Sequence, residues 1–496
     1  MNYSKTASEI LKHVKKDPFD DQPRQDYFEL CRAWFAEWEA ASRKKMFHQY
    51  QITGATNKVG RYTEFNHPAQ LHNRKDFRPL LTTALQRAVE NRDWAAAERL
   101  DSMLFKSLLF GAPHFFEDYL NAVEYGKPYD KRFYAPRQHY LHRYTQAYQE
   151  VLEGKLHFLS VSMPKRAGKS QMGINFVNML SGRKPNHSTL MEGTGDDLVQ
   201  SFYKGCLEYL DAESEYHFYD IFPNAKLVQT YADRKTFNLD KKSRFPTVMC
   251  RSIDARQVGL SEATNLLYLD DCVEGREEAK NRQRLDDKWE VISGDIIGRA
   301  IEGTPIVICG TRYSLYDPIG RLQETARKSG WKWKAIETPA LDPVTDETNF
   351  EYMRDGKPVF TTAFFREQRE ILCAEQWESE FQQQPFEAKG LLFNKDELNY
   401  FFELPVGREP DTIFAACDTA DKGADFTSMP IVAIYDQEAY IIDVVFDDAP
   451  PTVTKPECAK ALRDNHVASA VFESNNAGSY FARDVEQLLK GMGYTC

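Results

Sequence analysis

The sequence contains no apolar run approaching the roughly 18–20 residues that a membrane-spanning helix needs. Its N-terminus, MNYSKTASEILKHVKKDPFDD, is polar and of mixed charge, without the apolar core of a secretory signal, so a cytosolic place of action is expected. No Cys-x-x-Cys pair occurs. The nine cysteines (Cys31, Cys206, Cys250, Cys272, Cys309, Cys373, Cys417, Cys458 and Cys496) are scattered. Several lie in apolar runs such as IVICG and FAACD, which predicts buried reduced thiols rather than a zinc site. There is no internal repeat and no low-complexity tract. An excess of basic charge is also missing. The net charge is -11, which argues against a protein that coats nucleic acid. It leaves room for one that grips DNA locally, because carboxylates that hold magnesium push the count negative.

What is present is length and apolar content. With 496 residues, 42% of them hydrophobic, the chain can build sizeable cores, and a length prior suggests about three domains. Residues 1–132 read as a charged, helical accessory region, as in FRPLLTTALQRAVENRDWAAAERLDSMLF, with no catalytic constellation. Over 133–375 short apolar runs alternate with helical segments: HFLSVSMP, STLMEG, TVMCRSI, NLLYLDD, PIVICGT and WKAIETP. That alternation predicts an α/β domain with a doubly wound, mostly parallel sheet. Residues 376–410, rich in Gln, Pro and Gly, read as a linker. Residues 411–496 carry the further strands TIFAACDTA, MPIVAIYD, AYIIDVVF and ASAVFES, with helical stretches before and after the last.

In SVSMPKRAGKSQMGINFVNML, Gly168-Lys169-Ser170 follows an apolar strand and opens an amphipathic helix. A phosphate-binding loop needs that context. Backbone N–H groups and the helix N-terminus meet phosphate, Lys169 adds a point charge, and the Ser170 hydroxyl reaches magnesium. Met163 stands where the usual first glycine would be. Farther on, NLLYLDD ends a strand in Asp270 and Asp271. One of these can approach the magnesium, and the other can orient the attacking water. PIVICGTRYS ends another strand in Thr311 and Arg312, where a polar side chain can sense a γ-phosphate. A plain strand-end turn explains that last feature equally well.

In the final region Asp418 lies at the first strand, Asp425 follows a Gly-containing turn, and Glu473 ends a later strand. Carboxylates spaced on adjacent strands can bridge two magnesium ions, one activating water and one stabilising the leaving oxygen.

MPKRAGKS resembles the Pro-Pro-Arg-His-Gly-Lys-Ser loops of phage terminase large subunits. The stretch from LLYLDD to GTRYSLYDPIGRL is similar to the segment of that family running from Asp-Asp to Thr-Arg, and WESEFQQQPFEAKGLLF resembles its Gln-Gln-x-Pro linker. The likeness runs in order from 133 to 496. It implies a P-loop ATPase joined to a ribonuclease-H-like nuclease, with ATP and magnesium as cofactors and manganese possible in the nuclease. By this match Pro164, Lys165, Arg166, Ala167, Gly168, Lys169, Ser170 and Thr311 contact nucleotide, Arg166 acting as a cis arginine finger. FYAPRQHY resembles the adenine-recognising element, with Gln138 reading the base and Tyr134 near its face. Ser170 and Asp270 are implied as ligands of the nucleotide magnesium, and Asp271 as the residue that positions water. Asp418 and Glu473 are implied as nuclease metal ligands and Asp425 as an auxiliary one. The chain departs from the pattern at Lys165, which replaces a proline, and at Asp271, where many ATPases use Glu. The family's last catalytic acid lies beyond Glu473, so the nuclease domain is expected to be incomplete at GMGYTC and its cutting impaired.

The implied partners are double-stranded DNA, the portal of a procapsid, a small terminase subunit and further copies in a ring, with no membrane. The implied place is the cytoplasm of a bacterial host, docked transiently on the procapsid and absent from the mature virion. Two basic stretches, RKTFNLDKKSRF (234–245) and ARKSGWKWK (326–334), are candidate phosphate contacts, or simply solvated faces. A helicase or translocase of the same ATPase class is the alternative enzyme; it leaves the second carboxylate set unexplained. A non-enzymatic portal-docking protein with a vestigial loop is the third reading, opposed by intact Lys169, Ser170, Asp270 and Asp271.

Overall fold

The computed structural model describes residues 2–53, 63–255, 262–385, 399, 401, 403–419, 426–436, 438–447, 449–473 and 478–496, with side chains omitted at 44–53 and 478. The chain divides into two compact units, Met1–Gly390 and Leu391–Cys496. Among the described residues no helix is long and apolar enough to cross a membrane.

The first unit is built on an eight-stranded sheet. Its strands are β1 (Phe158–Ser162), β2 (Thr189–Gly193), β3 (Leu227–Tyr231), β4 (Thr236–Leu239), β5 (Val248–Ser252), β6 (Leu266–Asp270), β7 (Ile306–Gly310) and β8 (Trp333–Glu337), in the order β3-β4-β5-β2-β6-β7-β1-β8. All pairings are parallel except β3–β4 and β4–β5 at one edge. The six apolar runs expected between 133 and 375 are all strands of this sheet, and the fold is mixed α/β, as the sequence predicts. The antiparallel edge is hidden in the sequence, because β4 is a short stretch embedded in the charged run 234–245. A small hairpin, β9 (Tyr352–Arg354) with β10 (Lys357–Val359), lies outside the sheet.

Alternation along the strands feeds two separate cores, one on each face. Leu159, Val161, Tyr268, Val307 and Cys309 point to one. Phe158, Leu267, Leu269, Ile306 and Ile308 point to the other, against Ile292, Ile296, Ile319 and Leu322. Helices precede the sheet: α1 (Tyr3–Lys16), α2 (Asp21–Thr53), α3 (Pro68–Leu71), α4 (Arg78–Glu90), α5 (Trp94–Gly111), α6 (Phe116–Val123) and α7 (Gln138–Leu152); α8 (Lys169–Arg183) follows β1. Residues between Ala7 and Leu100 make a core of their own. From Leu108 onward, however, α5 and α6 bury Phe116, Tyr119 and Leu120 in the core of the sheet. Packing therefore shows no break at 132, because the apolar face of α6 lies in the sheet's core. Arg78 fastens the two parts through a double hydrogen bond to buried Asp118 (2.6 and 2.9 Å).

The expected linker also begins too early. Trp377, Ser379, Glu380 and Gln383 are all buried in the first unit. The Gln382 amide exchanges hydrogen bonds with both backbone groups of Leu341 (3.1 Å each). The Gln383 carbonyl accepts from the Arg312 backbone N–H (3.2 Å). The glutamines that read as linker in sequence hold backbone groups of Leu341 and Arg312.

The second unit carries β11 (Thr412–Cys417), β12 (Thr427–Tyr435), β13 (Glu438–Asp447) and β14 (Ser469–Phe472), in the order β13-β12-β11-β14, with only β11–β14 parallel. Helices Pro451–Asp464 and Gly478–Gly491 flank β14 in the chain as expected, and Cys458, Leu462, Phe481 and Val485 join the strands in one core. The two candidate DNA-binding stretches are partly built into the fold, while Arg234, Lys241, Lys242, Arg244, Arg327, Lys328 and Lys332 within them are exposed. β4 is wholly buried within the first, and Lys235 pairs with Asp196 (2.8 Å). In the second, Trp331 packs edge-on against His157 and Trp333 stacks on Phe158, while Lys334 pairs with Glu150 (2.8 Å).

The helix α8 must sit close to β6 for its first turn to reach the Asp270 strand end. Gly173 permits this: a Cβ there would come within 2.0 Å of the Tyr268 hydroxyl. Gly173→Ala should therefore destabilise the first unit by about 1–3 kcal/mol, seen as a lowered melting temperature. Unchanged melting would show that α8 is free to lift.

Candidate functional site

Three strand ends meet at one edge of the sheet because β6, β7 and β1 are neighbours and run parallel. In open α/β sheets that edge, at the carboxyl ends of strands, is where ligands bind. β1 delivers the loop Met163–Gly168, β7 delivers Thr311, and β6 delivers Asp270 and Asp271.

The loop turns on two left-handed residues, Arg166 (φ 65°) and Gly168 (φ 110°). Gly168 is the N-cap of α8, and its backbone runs against the Phe133 ring, which a Cβ would approach to 3.0 Å. Ala167 is buried, and its carbonyl accepts from the Tyr140 hydroxyl (3.3 Å). Pro164 is buried, whereas Lys165 and Arg166 are exposed at the crest. Lys169 is only 5% exposed. Its ammonium donates to the carbonyls of Met163 (3.0 Å) and Pro164 (3.3 Å) and to Thr311 Oγ1 (3.1 Å). The ammonium thus sits inside the loop's own ring of acceptors, where phosphate oxygens could replace the carbonyls.

Asp270 is fully buried. Cys309, opposite it on β7, donates its thiol to Asp270 Oδ1 (2.7 Å), and the Tyr268 hydroxyl lies 2.9 Å from the same sulfur. Asp270 Oδ2 has no hydrogen-bond partner. Burial, then the neighbouring charge of Asp271, pushes the Asp270 carboxyl up to about 7; Cys309, Ser170 and Lys169 offset part of this. A buried carboxylate oxygen left unsatisfied beside a serine hydroxyl and a phosphate-type loop fits a divalent cation. Asp271, in a left-handed conformation (φ 39°), turns the other way, and its Oδ1 accepts from the Thr311 backbone N–H (3.1 Å).

Lys169, Ser170, Asp270, Asp271 and Thr311 are therefore brought together. Arg312 is turned aside into a buried pair with Asp317 (3.0 Å) and a second pair with exposed Glu337 (2.7 Å). Tyr134 departs from expectation. It is 1% exposed, with its hydroxyl on Glu117 (2.8 Å), so its ring offers no open face to a base. The aromatic ring that reaches the loop is its neighbour Phe133. Gln138 is exposed and donates to the same Glu117 (3.2 Å). The sequence reading missed Cys309, Phe133 and Glu117. Only Cys309 left a signal, being one residue before the Gly-Thr that ends its strand.

In the second unit Asp418 and Glu473 are both exposed. They stand one place beyond the paired Cys417 and Phe472 on adjacent parallel strands, and the Glu473 N–H donates to the Cys417 carbonyl (2.9 Å). The neighbouring strand holds Asp418 through Ser428. Asp425 lies outside the described residues. Among the described residues no group of three or more His, Cys, Asp or Glu side chains gathers as a metal site.

Neither protein-family models nor curated proteins match the sequence. Among solved structures, the chain is similar to the large terminase of bacteriophage HK97, with 10% identity and TM-score 0.35 over 70% of this chain and 78% of that one. It is similar to the large terminase ATPase domain of Thermus phage P74-26, with 12% identity and TM-score 0.32 over 48% of this chain and 93% of that one. It is also similar to the ADP complex of a large terminase from a thermophilic bacteriophage, with 10% identity and TM-score 0.25 over 68% of this chain and 76% of that one. These are proteins of the class that the sequence resembles. At such TM-scores the likeness is distant, and the reading of the site rests on its own geometry.

Because the fold favours protonated Asp270, this residue stabilises fully below its ordinary value near 3.8 and loses that contribution as pH rises toward 7. In metal-free, nucleotide-free protein, Asp270→Asn should raise stability at pH 8 by a few kcal/mol at most. The gain should shrink as pH falls toward 4. A gain independent of pH would show that Asp270 is not held in its neutral form.

Proposed function

We propose that this chain is the large subunit of a double-stranded DNA phage terminase. In this reading ATP hydrolysis in the first unit drives duplex DNA into a procapsid, and the second unit is a metal-dependent endonuclease that cuts the concatemer. The observation that carries the proposal is the convergence of Lys169, Thr311 and buried Asp270 on one sheet edge, with Asp270 Oδ2 unsatisfied.

Lys169 binds the phosphates of ATP, exchanging its loop carbonyls for phosphate oxygens. Ser170 and Asp270 hold magnesium, which when bound neutralises charge developing on the transferred phosphoryl group. Asp271 orients water, Thr311 senses the γ-phosphate, and Arg166 serves as the finger in cis. Gln138 reads the base, with Glu117 behind it. In the second unit Asp418 and Glu473 are the metal-binding pair, with Asp425 as an auxiliary, and magnesium or manganese there would activate water and stabilise the leaving oxygen. The portal, the small subunit and a ring of copies are the proposed partners, and the bacterial cytoplasm is the proposed place of action. Adjacent strand-end carboxylates in the second unit favour this reading over a helicase of the same ATPase class.

Lys169→Ala should abolish ATP turnover while leaving the fold intact, and Asp271→Asn should cut kcat by about 100-fold or more while sparing nucleotide affinity. Full turnover in Lys169→Ala would remove the ATPase assignment and revive a non-enzymatic docking role. Any manganese-dependent plasmid cutting by the second unit should disappear in Asp418→Ala. Cutting that persists in Asp418→Ala would place the nuclease centre elsewhere.

A further inference from the structure

Lys165 occupies the position where the resembling loops carry proline, so the resemblance gives its charged side chain no role. Its side chain is 55% exposed, and its ammonium pairs with Glu380 Oε2 (2.8 Å). It also lies 5.3 Å from the centre of the Tyr313 ring. Glu380, by contrast, is 2% exposed. Its second oxygen faces Arg276 (3.4 Å), at the start of the helix that follows Asp271. Arg276 in turn donates to Gln376 Oε1 (2.7 Å). Burial alone would lower the Lys165 ammonium, but Glu380 and Tyr313 reverse this and hold its proton firmly.

The segment around Glu380 thus touches each motif of the nucleotide edge. Glu380 holds Lys165 of the loop and Arg276 after the Asp-Asp strand. Gln383 accepts from the backbone of Arg312, next to Thr311, whose hydroxyl accepts from Lys169. A triphosphate carries several negative charges and would compete with one carboxylate for a long, exposed lysine lying between them. Glu380 cannot follow Lys165, because it is buried. It would keep Arg276 as its remaining partner.

We propose that Lys165 is a second phosphate-binding cation of the nucleotide loop, held on Glu380 until a nucleotide arrives, and that Glu380 thereby relays occupancy of the loop to residues 377–384. This rests on reading Met163–Ser170 as a nucleotide site. In that scheme Glu380 acts through Lys165 and touches no phosphate, so it is a positioning residue. The two side chains should be energetically coupled in nucleotide binding.

The test is calorimetric titration of the full chain with magnesium ATPγS, in wild type, Lys165→Met, Glu380→Gln and the double variant. Lys165→Met, altering a half-exposed side chain, should keep the fold and weaken binding about fivefold or more. Glu380→Gln should tighten binding by a similar factor, about fivefold, because it frees Lys165. In the Lys165→Met background Glu380→Gln should have no effect. Hydrogen exchange across 377–384 should respond to ATPγS in wild type and not in Lys165→Met. Wild-type affinity in Lys165→Met overturns the proposal, as does an equal effect of Glu380→Gln in both backgrounds. Should Glu380→Gln fail to fold, Lys165→Met and the exchange measurement decide the matter by themselves. Failure of the site is distinct: Lys169→Ala would then bind ATPγS as wild type does, or wild type would not bind it.

Discussion

A carboxylate buried at the end of a strand is the constraint on which the rest of the first unit depends. Asp270 is removed from water, and an unpaired buried charge is among the most costly things a fold can contain. Its surroundings answer that cost only in part. Cys309 supplies one donor, Ser170 and Lys169 lean toward it from the first turn of α8, and one oxygen is left over. Strand order makes this arrangement possible. With β7 between β6 and β1, the cysteine thiol, the Thr311 hydroxyl and the Lys169 ammonium all arrive from adjacent parallel strand ends. The close approach of α8 at Gly173 lets the helix terminus complete the set.

The neighbouring carboxylate shows how backbone conformation separates two roles. Asp270 ends its strand in regular geometry and points into the interior. Asp271, one residue later, takes a left-handed conformation and bonds the Thr311 backbone instead. The two carboxylates still repel, and the Asp271 charge helps raise Asp270. Turning them apart leaves one buried and cation-seeking and the other half-exposed and able to meet water.

The first unit is also more continuous than its sequence suggests. Helix α6 comes from the charged N-terminal stretch, yet it supplies Phe116 and Tyr119 to the sheet's core and Glu117 to the cluster holding Tyr134 and Gln138. At the other end, Gln382 and Gln383 are bonded into the sheet's periphery, so the segment beyond β8 is part of the same body. Both ends supply partners to polar groups near the strand-end edge, as buried polar groups require wherever the chain passes.

The six parallel strands of the first unit were legible in the sequence because each is a short apolar run bounded by turn residues, as strands inside a parallel sheet tend to be. Lys169, Ser170, Asp270, Asp271 and Thr311 were legible because each sits at a fixed offset from the end of its own strand, where local geometry already aims it. The strand-end placement of Asp418 and Glu473 was legible in the same way. Cys309, Phe133, Glu117 and Glu380 were not, and Lys165 looked like a mere departure from pattern. Their importance arises from contacts between segments far apart in the chain: Lys165 meets Glu380, and Asp270 meets Cys309, only after the sheet has assembled. Local sequence thus determined which strands form and what each presents at its tip. Tertiary structure alone decided which tips became neighbours, which charges lost water, and hence which residues beyond the motifs the site depends on.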